Sequence, residues 1–554
     1  MSQARTWWKE GIVYQIYPRS FNDSNDDGIG DLQGIIQKLD YIASLGVTII
    51  WLCPVYPSPN DDNGYDISDY RGIMPEFGTM EKFDQLLEGI HKRGMRLVMD
   101  LVANHSSDEH HWFKEAQSSK DNPYRDYYFW KPGKMNGPPN DWPSFFGGNA
   151  WEYDELSDEY YLHLFTRKQP DLNWENPQVR KEIQEVIRYW FEKGVDGFRM
   201  DVISVISKDL DFPDAKTDDF GSIINNNYAN GSRIHEFLQE MNREVLSKYD
   251  IMTVGEGPGI SLDNALDYVG ADREELNMVF HFDHMFMDCG PGGKYDPVPV
   301  DFQRFKEIFS DWDSLLSDGG WGSIFLGNHD FSRLVSKFGN DSAYWQESAK
   351  LFAALLLSLR GTVYIYQGDE IGMTNVAFSS IDEYNDVETL GNWKEAEERG
   401  EDMDQFMHLV HLQSRDNART PMQWSDKSNA GFTQGKPWLG VNPNYVDINV
   451  DLQETDPGSV LHFYRRMIAF RKENPVLVYG NYQQLDRGHS TIYAYRRWDD
   501  LSDFLVVHNC SDQSLVWDLE DWNARDFQLE LSNVEGATND LHFQPWQSKI
   551  FRKF

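Results

Sequence analysis

A chain of 554 residues that is 40% hydrophobic has ample apolar material for a large core and for more than one structural unit. Its 90 acidic against 51 basic side chains, a formal charge of −39, exclude a nucleic-acid binder, which needs clustered Lys and Arg to meet phosphates. The longest apolar run, around residues 351–359, is about half of what a membrane span requires, so no membrane partner is expected.

The opening residues 1–8 lack the apolar stretch of a secretory signal. Cys53, Cys289 and Cys510 are odd in number and far apart, which points to reduced thiols in a cytoplasmic protein. From Ile12 onward short apolar runs alternate with longer amphipathic ones. The spacing predicts strands at Ile12–Pro18, Thr48–Pro54, Arg96–Val102, Gly197–Val202, Ile251–Glu256, Leu276–Phe282, Ser323–Asn328 and Thr362–Gly368. Several are apolar along nearly their whole length, as strands buried on both faces should be. Helices are predicted at Leu32–Leu45, Met80–Arg93, Pro177–Lys193, Ile234–Tyr249, Phe302–Leu316, Ala343–Leu359 and Val460–Lys472. Eight strands alternating with helices are the pattern of a (β/α)8 TIM barrel, whose active site lies where the strands end.

Two long interruptions punctuate that pattern. One, 105–174, is rich in Pro, Gly, Asn and aromatics and reads as an inserted domain after strand three. The other, at about 371–456, separates the last barrel strand from the last helix. After Asn474-Pro475 the period changes to alternating strands at Thr491–Arg496, Phe504–His508, Leu515–Leu519 and Lys549–Arg552, an antiparallel β domain. The expected division is a barrel in two parts (1–104 and 175–478), the insertion (105–174) and a C-terminal β domain (479–554).

Charged residues recur at the predicted strand ends: Asp100 to His105 on strand three, Arg199 and Asp201 on strand four, Glu256 on strand five, and Asn328-His329-Asp330 on strand seven. Arg199 and Asp201 are two apart, so an extended backbone points them to one side. Buried carboxylates cost desolvation unless paired, so a set of them at one end of a barrel is hard to assign to packing. Paired carboxylates in an aromatic-rich pocket are the equipment of glycoside hydrolysis, one attacking the anomeric carbon and one giving a proton to the leaving oxygen.

The chain resembles the α-amylase superfamily of glycoside hydrolases, near its oligo-1,6-glucosidase, dextran glucosidase and sucrose isomerase members. The resemblance rests on Tyr14-Gln-Ile-Tyr-Pro18, Asp100 to His105, Gln169-Pro-Asp-Leu-Asn173, Gly197 to Val202, Thr253-Val-Gly-Glu256, Asn328-His-Asp330 and the run Arg415 to Trp424, in order over nearly the whole length. It implies a retaining mechanism with Asp201 as nucleophile, Glu256 as acid/base and Asp330 as the third carboxylate. Arg199 would orient Asp201, and His105 and His329 would hydrogen-bond the glucose being cleaved. Asp62 would pair with Arg415 at the non-reducing end while Tyr65 stacks on the ring, which makes the enzyme act from chain ends.

The loop Asp23 to Asp31 places oxygen ligands alternately, with a glycine to turn the chain, as a hard cation requires. A plain acidic turn is the competing reading, since position twelve of the loop is Gly34 and not Glu. The resemblance implies a structural Ca2+, or Mg2+ in its place, on Asp23, Asn25, Asp27, the Ile29 carbonyl and Asp31. Val202, directly after the expected nucleophile, is the residue type of α-1,6-acting relatives, so isomaltose-type substrates are expected. An α-1,4-glucosidase or a sucrose isomerase or transglucosylase is the alternative, because Gly257, Leu326-Gly327 and Phe331-Ser332 depart from the usual pattern. Residues 285–295 lack the arginine-rich loop of sucrose isomerases. A non-catalytic relative is the remote alternative, and the presence of all three acids argues against it.

Overall fold

The computed structural model describes residues 5–134, 137–519 and 523–554. Eight parallel strands, β1 (Ile12–Ile16), β2 (Ile49–Leu52), β3 (Arg96–Val102), β4 (Gly197–Asp201), β5 (Met252–Glu256), β6 (Met278–Phe280), β7 (Ser323–Ile324) and β8 (Thr362–Tyr366), pair in the order β7-β8-β1-β2-β3-β4-β5-β6. Ser323 Oγ donates to the Val279 carbonyl at 2.8 Å and joins β7 to β6, which closes the ring. β1, β2, β4, β5 and β8 are buried at every residue, because helices cover the outside and side chains fill the inside.

The helix Pro177–Lys193 starts and stops where the sequence places caps. The Asn176 side chain accepts from the Gln178 N–H ahead of Pro177, and Gly194 ends that helix at φ 103°, a backbone few other residues adopt. Arg471, from the helix Val460–Glu473, is buried and donates to the carbonyls of Leu357, Leu359 and Gly361, taking up acceptors that the end of the helix Trp345–Ser358 leaves open.

Register sets the site. Asp100 lies opposite Arg199, and Met200 opposite Gly255, so Arg199, Asp201 and Glu256 share one layer at the C-terminal mouth. The insertion after β3 folds into a three-stranded antiparallel sheet, Trp130–Lys131, Glu159–Leu162 and Trp151–Asp154, with an apolar cluster that includes Phe129, Trp142, Leu164 and, from the barrel, Val202. A fully buried ion pair at 2.8 Å, Lys208 to Asp171, ties the insertion to the loop after β4. The excursion after β8 carries helices at Val387–Arg399 and Met403–Gln413 and brings Arg415 back to the mouth. The C-terminal sheet has the order Asn481–Leu485, Ile492–Trp498, Asp503–Asn509, Ser548–Lys553, Phe527–Ser532.

Some expected elements differ. β6 and β7 are shorter than predicted, and residues 325–328 leave the sheet and lead to the pocket residues His329, Asp330 and Phe331. The helix expected to reach Tyr249 ends at Glu244, followed by a 3-10 turn at Leu246–Lys248. Leu515–Val516 pairs only with His542–Phe543, apart from the five-stranded sheet, and the rest of the expected strand Leu515–Leu519 is not extended pairing. The sequence reading missed Asn481–Leu485 and Phe527–Ser532, which are edge strands with exposed polar faces and a weak apolar signature. Among the described residues no helix is long and apolar enough to cross a membrane.

Candidate active site

Arg199 is the centre of the mouth. Its Nη1 donates to Asp100 Oδ1 at 2.7 Å and to Asp201 Oδ1 at 2.5 Å, and its Nη2 meets Glu256 Oε2 at 2.6 Å. One cation thus holds three carboxyl groups in a buried site. Burial pushes all three up, against the pull of Arg199: Asp100 and Asp201 to about 6 and Glu256 to about 8. At neutral pH Asp201 is therefore a carboxylate and Glu256 an acid.

Val202 follows Asp201 with φ 36° and ψ 40°, a left-handed conformation that costs a β-branched residue roughly 1–3 kcal/mol. Its N–H donates to Glu256 Oε2 at 3.1 Å.

Asp330, six residues past the end of β7, takes Arg415 Nη1 at 3.3 Å and Arg419 Nη2 at 3.1 Å on Oδ1. Against its burial, His329 and these guanidinium groups hold its carboxyl well below the usual range. Burial pushes the His329 imidazole down to about 3, so the ring is neutral and acts as a hydrogen-bond donor, leaving the charge to Arg415 and Arg419. Gln15 Nε2 lies 2.9 Å from His329 Nδ1, which assigns the proton to Nε2, 3.1 Å from Asp330 Oδ2. Tyr65 stacks on the His329 ring at 5.3 Å and 8°.

The loop that carries Asp62 and Tyr65 is organised by Asp66, whose carboxylate accepts from the N–H groups of Asp61 and Asp62. The expected pair exists, with Arg415 Nη2 3.3 Å from Asp62 Oδ1, but Arg415 grips Asp386 more closely, at 2.6 Å, and also reaches Glu388. Burial pushes the Asp62 carboxyl up to about 7 despite Arg415. His105 is buried and neutral, its Nε2 3.2 Å from the Tyr65 carbonyl and 3.2 Å from Gln169 Nε2. All nine expected catalytic and sugar-binding residues therefore meet at one mouth. Asp386, Glu388, Lys294 and Gln15 were not singled out from sequence, because none lies at a strand end with a charged neighbour. Arg419 sits inside the Arg415 to Trp424 run, four residues after Arg415, and was given no role of its own.

These residues enclose a cavity of about 430 Å3. Asp62, His105, His329, Asp330 and Arg415 line one end, and Gly257, Ile260, Phe282, Phe286 and Phe331 line the other.

The loop 23–31 lies apart from this cavity. Asp23 accepts from the N–H groups of Asn25, Asp26 and Gly28 and from Thr433 Oγ1, and Asp31 accepts from Ser24 and Gly34. The Asn25 and Asp27 side chains accept from the N–H groups of Asp27 and Ile29. Oxygen-only donors suit a hard cation, although these carboxylates are turned onto the loop's own N–H groups. Among the described residues no three His, Cys, Asp or Glu side chains converge closely enough to hold a metal ion.

Fold and site together define a (β/α)8 glycoside hydrolase. The alpha amylase catalytic domain family matches residues 15–480. The chain is 53% identical over 556 residues to the oligo-1,6-glucosidase of Parageobacillus thermoglucosidasius and 52% identical over 554 residues to that of Bacillus cereus, covering 99% of both chains in each case. It superposes with a TM-score of 0.96 and 45% identity on an isomaltulose synthase mutant from Erwinia rhapontici in complex with sucrose, over 100% of both chains. The chain belongs to the α-amylase family.

Proposed function

We propose that the protein is a retaining, exo-acting α-glucosidase that removes glucose from the non-reducing end of short α-1,6-linked oligosaccharides such as isomaltose. The observation that carries the reading is the single guanidinium of Arg199 holding the Asp201 carboxyl at 2.5 Å and the Glu256 carboxyl at 2.6 Å. Asp201 attacks the anomeric carbon while Glu256 protonates the leaving oxygen. Glu256, now ionised, then takes a proton from the water that releases glucose from Asp201. Two carboxyl groups held on one guanidinium favour the closer spacing of retaining enzymes, roughly 5–5.5 Å, over the roughly 6.5–9.5 Å of inverting ones. Asp330, charged throughout, suits the sugar hydroxyls and the positive charge that develops on the ring. The ion-pair network of Asp62, Arg415 and Asp386 at one end of the cavity supports release of one terminal unit at a time.

The α-1,6 preference is supported by the names of the relatives at 53% and 52% identity and by Val202. Initial rates and product identities on isomaltose, panose, maltose, sucrose and dextran test it. Isomaltose is expected to be cleaved fastest, with free glucose as product, and faster cleavage of maltose would contradict it. Glucosyl transfer is the second reading, supported by the aromatic mouth of Phe282, Phe286 and Phe331, and would appear as transfer products on sucrose.

A structural Ca2+ on Asp23, Asn25, Asp27, the Ile29 carbonyl and Asp31 is part of the proposal, supported by the oxygen-only donor set. Metal analysis and melting with and without EDTA test it, with Mg2+ as the competing ion. A cytoplasmic location is supported by the three unpaired cysteines, Cys53, Cys289 and Cys510, which suit a reducing compartment.

A further inference from the structure

We propose that Val202 is a positioning residue whose main-chain N–H, aimed by its left-handed turn, fixes Glu256 Oε2 as an acceptor and reserves Oε1 for the proton that is transferred. The inference rests on Glu256 being the acid/base.

The geometry is specific to one oxygen. Oε2 receives both Arg199 Nη2 at 2.6 Å and the Val202 N–H at 3.1 Å. An oxygen that faces a guanidinium and accepts an N–H does not carry the acid proton, and among the described residues no protein donor is hydrogen-bonded to Oε1. The proton therefore rests on Oε1.

The turn is held from three sides. The Val202 side chain belongs to the apolar cluster of the inserted domain, with Phe129, Trp142, Leu164 and Phe165. Ser204 Oγ donates to the Pro258 carbonyl at 2.6 Å and ties the loop after β4 to the loop after β5. Ile203 packs where a side chain on Gly255 would sit, 2.9 Å from that Cβ position, so β5 needs glycine there for the turn to lie close. A β-branched residue stays in the left-handed region only when its surroundings over-determine it, and such strain gathers at functional sites. The inserted domain thus reaches the acid/base through one peptide group.

The charged groups that face Glu256 are Arg199, Asp201, Asp100 and Asp330. An N–H donated to the ionised carboxyl favours that form, so removing it raises the pH at which Glu256 ionises. Arg199 acts in the same direction and is left in place by the test.

The test replaces residue 202 by the α-hydroxy acid analogue of valine, which exchanges the N–H for an ester oxygen and keeps the side chain. The basic limb of kcat/KM on isomaltose is expected to move to higher pH, with kcat lower about tenfold and KM within about twofold, in keeping with loss of one hydrogen bond to a charged group. Val202→Gly keeps the N–H and adopts the left-handed turn freely, so its basic limb is expected to stay at the wild-type pH whatever its melting temperature. An ester variant with wild-type limb and kcat, or a glycine variant whose limb moves as far as the ester's, overturns the inference. Glu256→Gln separates the two levels. Near-normal hydrolysis of isomaltose by that variant removes the acid/base reading and the inference with it, while its inactivity beside an unchanged ester variant removes the inference alone.

Discussion

At one end of the pocket Arg415 meets Asp62, Asp330, Asp386 and Glu388, and Arg419 adds a second guanidinium to Asp330. At the other end the wall is made of rings, with Phe282 near-parallel to Phe331 at 5.9 Å and 28° and Phe286 edge-on to Phe331 at 5.2 Å. The difference matters because buried polar groups punish a wrong ligand and apolar walls hardly do. A site built to hydrogen-bond a hydroxyl rejects its absence by about 10^4–10^5, whereas an apolar contact is worth roughly 10–200-fold. On the proposed reading the charged end decides that a terminal glucose is bound, and the aromatic end only ranks the leaving groups. Gly257 and Phe331, the departures from the family pattern, both fall on the permissive side.

The comparison breaks first at the reacting groups that lie between the two ends. Asp201→Asn is expected to lower kcat/KM on isomaltose by about 10^4 or more, about 5 kcal/mol at 1.36 kcal/mol per decade, measured by initial rates on protein shown to be folded. Glu256→Gln is expected to cost about 10^2–10^4 on isomaltose and far less on an aryl α-glucoside, whose leaving group needs no proton.

Next come the two ends themselves. Asp62→Ala leaves Arg415 on Asp386 but strips one partner from the terminal sugar, a loss of about 2–3 kcal/mol for a buried charged hydrogen bond, or about 30–150-fold in kcat/KM. Phe331→Ala should change kcat/KM for isomaltose by less than about tenfold, with a larger change in the ratio of isomaltose to maltose cleavage. If the Phe331 variant loses more than the Asp62 variant, the ranking of the two ends is wrong.

The smallest effect is the pH profile of the unaltered enzyme. Below about 6 Asp201 takes up a proton and cannot attack, and above about 8 Glu256 loses the proton it must give. The plot of kcat/KM against pH should be a bell with limbs near those values.

Much of this was legible in the residues. Apolar strands between amphipathic helices marked the barrel, and the charges at strand ends marked Arg199, Asp201, Glu256 and Asp330. Val202 was legible as a residue type but not as a left-handed turn, because a β-branched residue in a strand-like run carries no local sign of positive φ. The grip of Asp386 on Arg415 was hidden in a long excursion, where an aspartate just ahead of a helix reads as an ordinary N-cap. The two edge strands of the C-terminal sheet were hidden for the opposite reason, since half-exposed strands with polar faces look like loop.

The central claim is a covalent glucosyl–enzyme on Asp201. A 5-fluoro-α-glucosyl fluoride, which slows the second step, should trap it, and peptide mapping by mass spectrometry reads the modified residue. One adduct per chain on the peptide carrying Asp201, lost on return to buffer as 5-fluoroglucose, with α-glucose as the first product of isomaltose, is the predicted result. An adduct on another carboxylate, or β-glucose as the first product of isomaltose, would contradict the account.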